Sequence, residues 1–469
     1  MNHPHPPQAQ PSDAPSPAQP VAMPFNRGKL AREAERTLNQ ITDDFLDNPR
    51  AMQYFYDLFR RVFIQGETLA HTGPKVGVTC IHVPEELIHA AGATPVRLCS
   101  GSHQFDQAGG DAMPAKSCPL VKATLGRLQA PKAVPDVGKL DLIVNPSSCD
   151  QKTKAASLMR ELGYPVLDLE LPRAKESEAA REFWRRSVKS LAVELEKTTG
   201  RKITRARLKA AMALTHRAQA AFRQLHAFRR QAPALLLGKD VFLVTNAYFF
   251  DDVTRWTEAV EALNAELAQR AAEGFQAAQG KAPRILFTGS PPIFPNLKLP
   301  LLIEQAGGVV VADETCSANR MLYDMTAVDE WLTSHMIESL ADKYLKPCTC
   351  PVFTRNDDRI RRLLELARSF QVDGVVYQAF SGCQVYEMEQ RSVAQALQQA
   401  GIPMIYVETD YSPDDQGQLS TRIEAFLEAL KARKRQARAA ASATSAATAT
   451  TNSTPAPAAP ATATAQETA

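Results

Sequence analysis

Eight cysteines carry the chemistry of this 469-residue chain, and their placement against short apolar runs says more than their number. Cys80 closes Val76–Cys80 and Cys99 follows Pro95–Leu98. Cys149 follows Leu142–Asn145, Cys316 follows Val309–Ala312, and Cys383 follows Gly374–Tyr377. Each run is short and β-branched and leads into a helical pattern. Each thiol therefore falls at the carboxyl end of a predicted parallel strand, the edge where open α/β sheets bind ligands. Cys118, Cys348 and Cys350 stand in connections, Cys118 and Cys350 directly before proline. Thiols gathered at one kind of location point to a soft metal centre, iron–sulfur above all. Any one of them alone reads equally well as small apolar filler. A disulfide framework belongs to short secreted scaffolds. Structural zinc uses paired C-x2–4-C hooks, whereas the one close pair here is Cys348-Thr349-Cys350.

The elements that must position these thiols come in two copies. Leu87-Ile88-His89-Ala90-Ala91-Gly92 is matched by Leu302-Ile303-Glu304-Gln305-Ala306-Gly307, each a helix ending in glycine before a strand. Gly163-Tyr164-Pro165-Val166-Leu167-Asp168-Leu169-Glu170 is matched by Gly401-Ile402-Pro403-Met404-Ile405-Tyr406-Val407-Glu408, a turn entering a buried strand. The cysteines follow the repeat: Cys149 with Cys383, Cys118-Pro119 with Cys350-Pro351, and Cys99 with Cys316. Cys80 and Cys348 are left over. Strands alternating with helices predict two duplicated, doubly wound parallel sheets of flavodoxin/Rossmann type. The first α/β domain spans 75–175 and the second 282–432, with a helical extension at 28–74 and a helical region at 176–281.

Residues 1–27 and 439–469, rich in Pro, Ser, Gln, Ala and Thr, read as disordered tails. The cluster Lys431, Arg433, Lys434, Arg435 and Arg438 reads as the cationic complement of the last helix's dipole. A net charge of +3 without a basic–aromatic face argues against nucleic acid, and no apolar run reaches membrane-spanning length. With no secretory leader visible and free thiols retained, a cytoplasmic location is expected.

Aligned in this way, the chain resembles the 2-hydroxyacyl-CoA dehydratase and benzoyl-CoA reductase family. The residues that carry the resemblance are Val83–Ile88 with Ala90-Ala91-Gly92, Cys118–Lys122, Ser148-Cys149-Asp150, Cys316, Cys348-Thr349-Cys350 and Gly382-Cys383-Gln384. Glu408–Ser412 and Gly417–Phe426 complete the set. The resemblance implies a [4Fe-4S] cluster on Cys118, Cys149 and Cys383. The additional Cys80, Cys99, Cys316 and Cys350 are similar to a single-chain branch that carries a double-cubane [8Fe-9S] cluster. On that reading Cys316, Cys350 and Cys383 form one triad. Cys118 and Cys149 are completed by Cys80 or Cys99, Cys80 ranking ahead, and Cys348 stands by. The branch match is incomplete: Pro146–Lys152 has no acidic lead-in and Cys383 is followed by Gln384, not histidine.

The resemblance further implies an iron–sulfur oxidoreductase that takes electrons from an ATP-hydrolysing [4Fe-4S] activator and reduces a small unsaturated substrate. The alternatives are a radical 2-hydroxyacyl-CoA dehydratase or an aryl-CoA reductase with one [4Fe-4S] cluster and an acyl-CoA substrate, or a cluster carrier without catalysis. A homodimer is expected, to match a two-fold symmetric activator. The chain carries no G-x4-G-K-[ST] loop, so ATP falls to a partner. Helices predicted to start after Cys118, Cys149 and Cys383 would aim their positive ends at a cluster. Lys122, Lys152 and Lys154 read first as solvated helix faces, and Glu85 and Glu86 as first-turn acids.

Overall fold

The computed structural model describes residues 26–71, 73–131, 139–278, 280–324 and 331–451. The N-terminal tail up to 25 and the C-terminal one from 452 lie outside them. The chain opens with α1 (Arg27–Asp43) and α2 (Gln53–Phe59), the latter between a 3-10 turn at Arg50–Met52 and a π-helical turn at Arg60–Gln65. The first half runs β1 (Lys75–Val78), α3 (Glu85–Ala90), β2 (Thr94–Arg97), α4 (His103–Gly110), α5 (Pro119–Gln129), β3 (Leu142–Pro146), α6 (Asp150–Glu161) and β4 (Val166–Leu169). Four helices follow: α7 (Glu178–Thr199), α8 (Arg205–Phe228), α9 (Gly238–Ala247) and α10 (Val253–Ala272). The second half comprises β5 (Arg284–Gly289), α11 (Lys298–Gln305), β6 (Val309–Glu314), α12 (Asn319–Leu322), α13 (Thr333–Leu345) and α14 (Asp357–Ser369). It ends with β7 (Gly374–Phe380), α15 (Gln384–Gln399), β8 (Met404–Thr409) and α16 (Gln416–Thr451).

All strand pairs are parallel, in the order β2-β1-β3-β4 in one sheet and β6-β5-β7-β8 in the other. The identical order is the structural form of the sequence repeat. Gly92 and Gly307, with φ of 74° and 82°, end α3 and α11 in the left-handed conformation that any side chain would strain. In the second sheet β5, β6 and β7 are buried along their whole length, which is why they read as unbroken apolar runs. In both sheets the strand order reverses beside the first strand, between β1 and β3 and between β5 and β7, which opens a crevice at the carboxyl edge.

The helical region is amphipathic at the expected spacing. Trp184, Val188, Leu191 and Leu195 of α7 and Leu208, Met212, Phe222 and Leu225 of α8 are buried. The Trp184 indole donates to the Ala341 carbonyl at 2.8 Å, tying α7 to α13 of the second half. Among the described residues no helix is long and apolar enough to cross a membrane.

Two local expectations change, and one holds with added detail. The last helix does not stop near 438 but runs to Thr451, because alanine is the best helix former and the first proline after it is Pro455. The basic cluster therefore lies well inside α16, out of range of the end dipole. Lys434 instead bonds Asp373 at 2.6 Å, Lys431 bonds Glu428 at 2.8 Å, and Arg433 donates to the Gly401 carbonyl at 2.8 Å. Glu85 and Glu86 open α3 as first-turn acids, as the sequence predicts, and both are buried. Glu85 pairs with Arg97 at 2.6 Å, and Glu86 accepts from Lys343 at 2.8 Å and the Tyr344 hydroxyl at 2.7 Å. Finally, the Cys-Pro pair at 350–351 does not start a helix as Cys118-Pro119 does. Phe353 is 3% exposed and its N–H turns back to the Cys350 carbonyl at 3.4 Å, so α14 begins only at Asp357.

Candidate metal centre

Cys118, Cys149 and Cys383 are the N-cap residues of α5, α6 and α15, as the sequence predicts. None of the three thiols makes a capping hydrogen bond, but the first-turn N–H groups of Leu120 and Val121 near Cys118, Lys152 near Cys149 and Tyr386 near Cys383 favour the charged form of each. This is the arrangement in which a helix start favours a thiolate.

Six thiols share one cavity. Cys80, Cys118 and Cys149 from the first half, and Cys316, Cys350 and Cys383 from the second, line a space of about 560 Å³. Cys99 and Cys348 do not line it. The Cys99 thiol points at the Thr79 carbonyl at 3.5 Å beside a void of about 20 Å³. Cys348 is buried against His82. All eight cysteines are free. Among the described residues no three His, Cys, Asp or Glu side chains converge closely enough to hold a single ion, so the donors surround a volume instead of a point.

The two halves are clamped at this cavity. The Gln151 carboxamide accepts from the Cys118 N–H at 2.7 Å and donates to the Gly382 carbonyl at 2.8 Å. Gly382 has φ of 79°, and a Cβ there would come within 2.0 Å of the Lys116 carbonyl oxygen. Glycine is required where these two cysteine loops meet.

Two side chains that sequence reading undervalued dominate the charge. Lys152 turns inward, donating to the Thr79 carbonyl at 2.6 Å, instead of facing solvent. Lys122 pairs with Asp106 at 3.0 Å, and Lys154 is exposed. His82 is fully buried, with one ring nitrogen 3.2 Å from the Cys80 sulfur and the other 3.4 Å from that of Cys348. Burial lowers the His82 pKa, but the Cys348 and Cys80 thiols outweigh it and bring it to about 10. Burial likewise pushes the Cys80 thiol up, yet Lys152 and His82 hold it well below its ordinary value. A hydrogen bond from Cys383 lowers the Cys118 thiol and raises that of Cys383. Burial lifts Cys316 to about 11 against the pull of Arg320. The spacing Cys80-Ile81-His82 was the one sequence signal that could have singled out His82.

The family described as 2-hydroxyglutaryl-CoA dehydratase, D-component, matches residues 80–430. The chain belongs to that family. The match starts at Cys80, the first cysteine on the cavity, and ends at position 430, a buried position of α16. YjiM of Escherichia coli (strain K12), provisionally named a dehydratase subunit, is 33% identical over 388 residues, 82% of this chain and 99% of that one. The beta subunit of (R)-2-hydroxyglutaryl-CoA dehydratase from Acidaminococcus fermentans is 24% identical over 368 residues, 76% of this chain and 92% of that one. A benzoyl-CoA reductase subunit from Thauera aromatica is 24% identical over 344 residues, 72% of this chain and 85% of that one. These relatives are named as enzyme subunits, and the resemblance read from the cysteine and glycine blocks holds over residues 80–430.

Proposed function

We propose that this chain holds a double-cubane [8Fe-9S] cluster on Cys80, Cys118, Cys149, Cys316, Cys350 and Cys383. With it the chain acts as a cytoplasmic iron–sulfur reductase of a small unsaturated substrate. The observation that carries the reading is the gathering of three thiols from each half on one cavity, with Cys99 and Cys348 left outside. The donor set fits a sulfur-bridged cluster: six soft ligands, three helix N-termini and the inward Lys152 ammonium all favour an anionic group. Such a cluster supplies single electrons of low potential. The chain's own part is to hold it and to exclude water. Cys118 and Cys383 fix the meeting point of the halves through Gln151, Lys152 offsets negative charge beside Cys80, and Tyr386 and Val385 close the cavity wall. Electrons come from a separate ATP-hydrolysing [4Fe-4S] activator, and the chain works as a homodimer that offers it a two-fold face.

The names of the curated relatives favour a second reading, an acyl-CoA dehydratase or reductase subunit with one [4Fe-4S] cluster on Cys118, Cys149 and Cys383. Anaerobic purification with iron and sulfide quantification decides between them: about eight iron atoms per chain support the double cubane and about four the single one. The activator is tested by turnover, which should require MgATP and the activator. Full turnover with dithionite alone would overturn that part.

A further inference from the structure

The first half sets a buried cation, Lys152, on the thiol cavity; the second half builds its polar wall on a different plan. Glu314 ends β6 two residues before Cys316 and is 1% exposed. Its carboxylate receives Arg320 through Nε at 2.8 Å and Nη2 at 2.6 Å, pairs with Arg359, and accepts from the Thr349 hydroxyl at 2.6 Å. Thr349 stands between Cys348 and Cys350. One acid thus ties the strand end before Cys316 to the Cys350 loop and to α12. Arg359 continues the chain of contacts to Glu389 of α15 at 2.8 Å.

The third Arg320 nitrogen, Nη1, donates to the Tyr386 hydroxyl at 3.2 Å. Tyr386 is buried in the first turn of α15, behind Cys383, and lines the thiol cavity. Its ring is held edge-to-face by Tyr377 at 6.4 Å, with the Arg359 guanidinium 5.8 Å from its centre. The hydroxyl oxygen is therefore occupied as an acceptor, while its own proton meets no protein acceptor among the described residues. Burial holds that proton on the oxygen well above the ordinary tyrosine range; Arg320 pulls the other way, and Cys316 and Cys350 add to the effect of burial. Both of those thiols line the cavity, so the hydroxyl is a standing donor on its Cys316 and Cys350 side. A buried donor without an acceptor costs free energy that a bound acceptor recovers.

We propose that the Tyr386 hydroxyl donates a hydrogen bond to a sulfur of the cluster on its Cys316 and Cys350 side, and that Arg320 is the positioning residue that aims it. The inference rests on the double-cubane reading. A hydrogen bond to a cluster sulfur stabilises the reduced, more negative state and so raises the potential. The first half offers a full charge, and the second a neutral donor backed by a charge already paired with Glu314.

The test is redox titration followed by electron paramagnetic resonance, with iron quantification, on the full-length, anaerobically purified protein. Tyr386→Phe keeps the ring against Tyr377 and should keep the parent's iron. Its ratio of reduced to oxidised cluster at a fixed poise should fall about tenfold, or about 59 mV for a one-electron couple. Tyr164→Phe, which removes a hydroxyl bonded to the Leu128 carbonyl outside the cavity lining, should keep the parent potential. Arg320→Lys keeps the charge but not the fork that reaches both Glu314 and Tyr386. It should shift the potential in the parent and not in the Tyr386→Phe background. If Arg320→Lys does not fold, Tyr386→Phe decides alone. With about eight iron atoms in the parent, three results would overturn the proposal and leave the double-cubane reading standing. They are an unchanged potential in Tyr386→Phe, loss of its iron, or an equal Arg320→Lys shift in both backgrounds. About four iron atoms in the parent would overturn both, because no cluster then lies on the Cys316 and Cys350 side.

Discussion

At the scale of single residues, thiols of one sequence type divide by where their sulfur points. Cys149→Ala removes a cavity thiol and should strip iron and lower stability together, because ligation couples to folding. Cys99→Ala, aimed at the Thr79 carbonyl, should keep its iron. Cys348→Ala should also keep iron while costing about 1 kcal/mol as a buried filler that touches His82. Iron quantification beside chemical denaturation reads all three, and full iron in the Cys149 variant would remove that thiol from the ligand set. A second residue-scale effect lies outside the cavity lining. His226 is 1% exposed, and burial, then Arg229, Arg230 and Arg362, hold its pKa well below the ordinary 6.5. The unfolded chain therefore takes up a proton below 6.5 that the folded one refuses, so stability present above that pH is lost as the pH falls. One unit below 6.5 the loss is about 1 kcal/mol, and His226→Gln should abolish that share of the acid-side slope in denaturation curves.

At the scale of elements, α16 separates packing from propensity. Leu419, Ile423, Leu427 and Leu430 are buried at helical spacing, and none of residues 431–440 is buried. The rest of the helix is rich in alanine, the residue whose own backbone preference favours helix most. Ile423→Ala should thus cost 2–4 kcal/mol, about what a buried aliphatic truncation costs. Trimming to residues 24–438 should leave the thermal midpoint within about 2 °C and the iron content unchanged. A loss of iron on trimming would assign the tails a role in the site.

At the scale of the whole molecule, the cavity exists because two halves meet. Gly382→Ala would drive a methyl into the Lys116 carbonyl and spread the Cys118 and Cys383 loops. Most iron should be lost while each sheet keeps its fold, which circular dichroism beside iron analysis would show. Retention of all iron would mean that the halves hold the site without this contact. The sequence by itself determined seven of the eight strands, all but β5, together with the repeat and the helix starts behind Cys118, Cys149 and Cys383. These follow from local patterns: apolar runs, glycine ends and proline at the first helical turn. Which thiols face one another was decided only by the tertiary structure. Cys80 and Cys99 both follow strands of the first sheet, and no local rule says which sulfur reaches the cavity. The inward turn of Lys152, the bridge made by His82 and the Gln151 clamp were likewise invisible. Each depends on partners distant along the chain, Gln151 and Gly382 being 231 residues apart, and only packing of one half on the other brings them within hydrogen-bond reach.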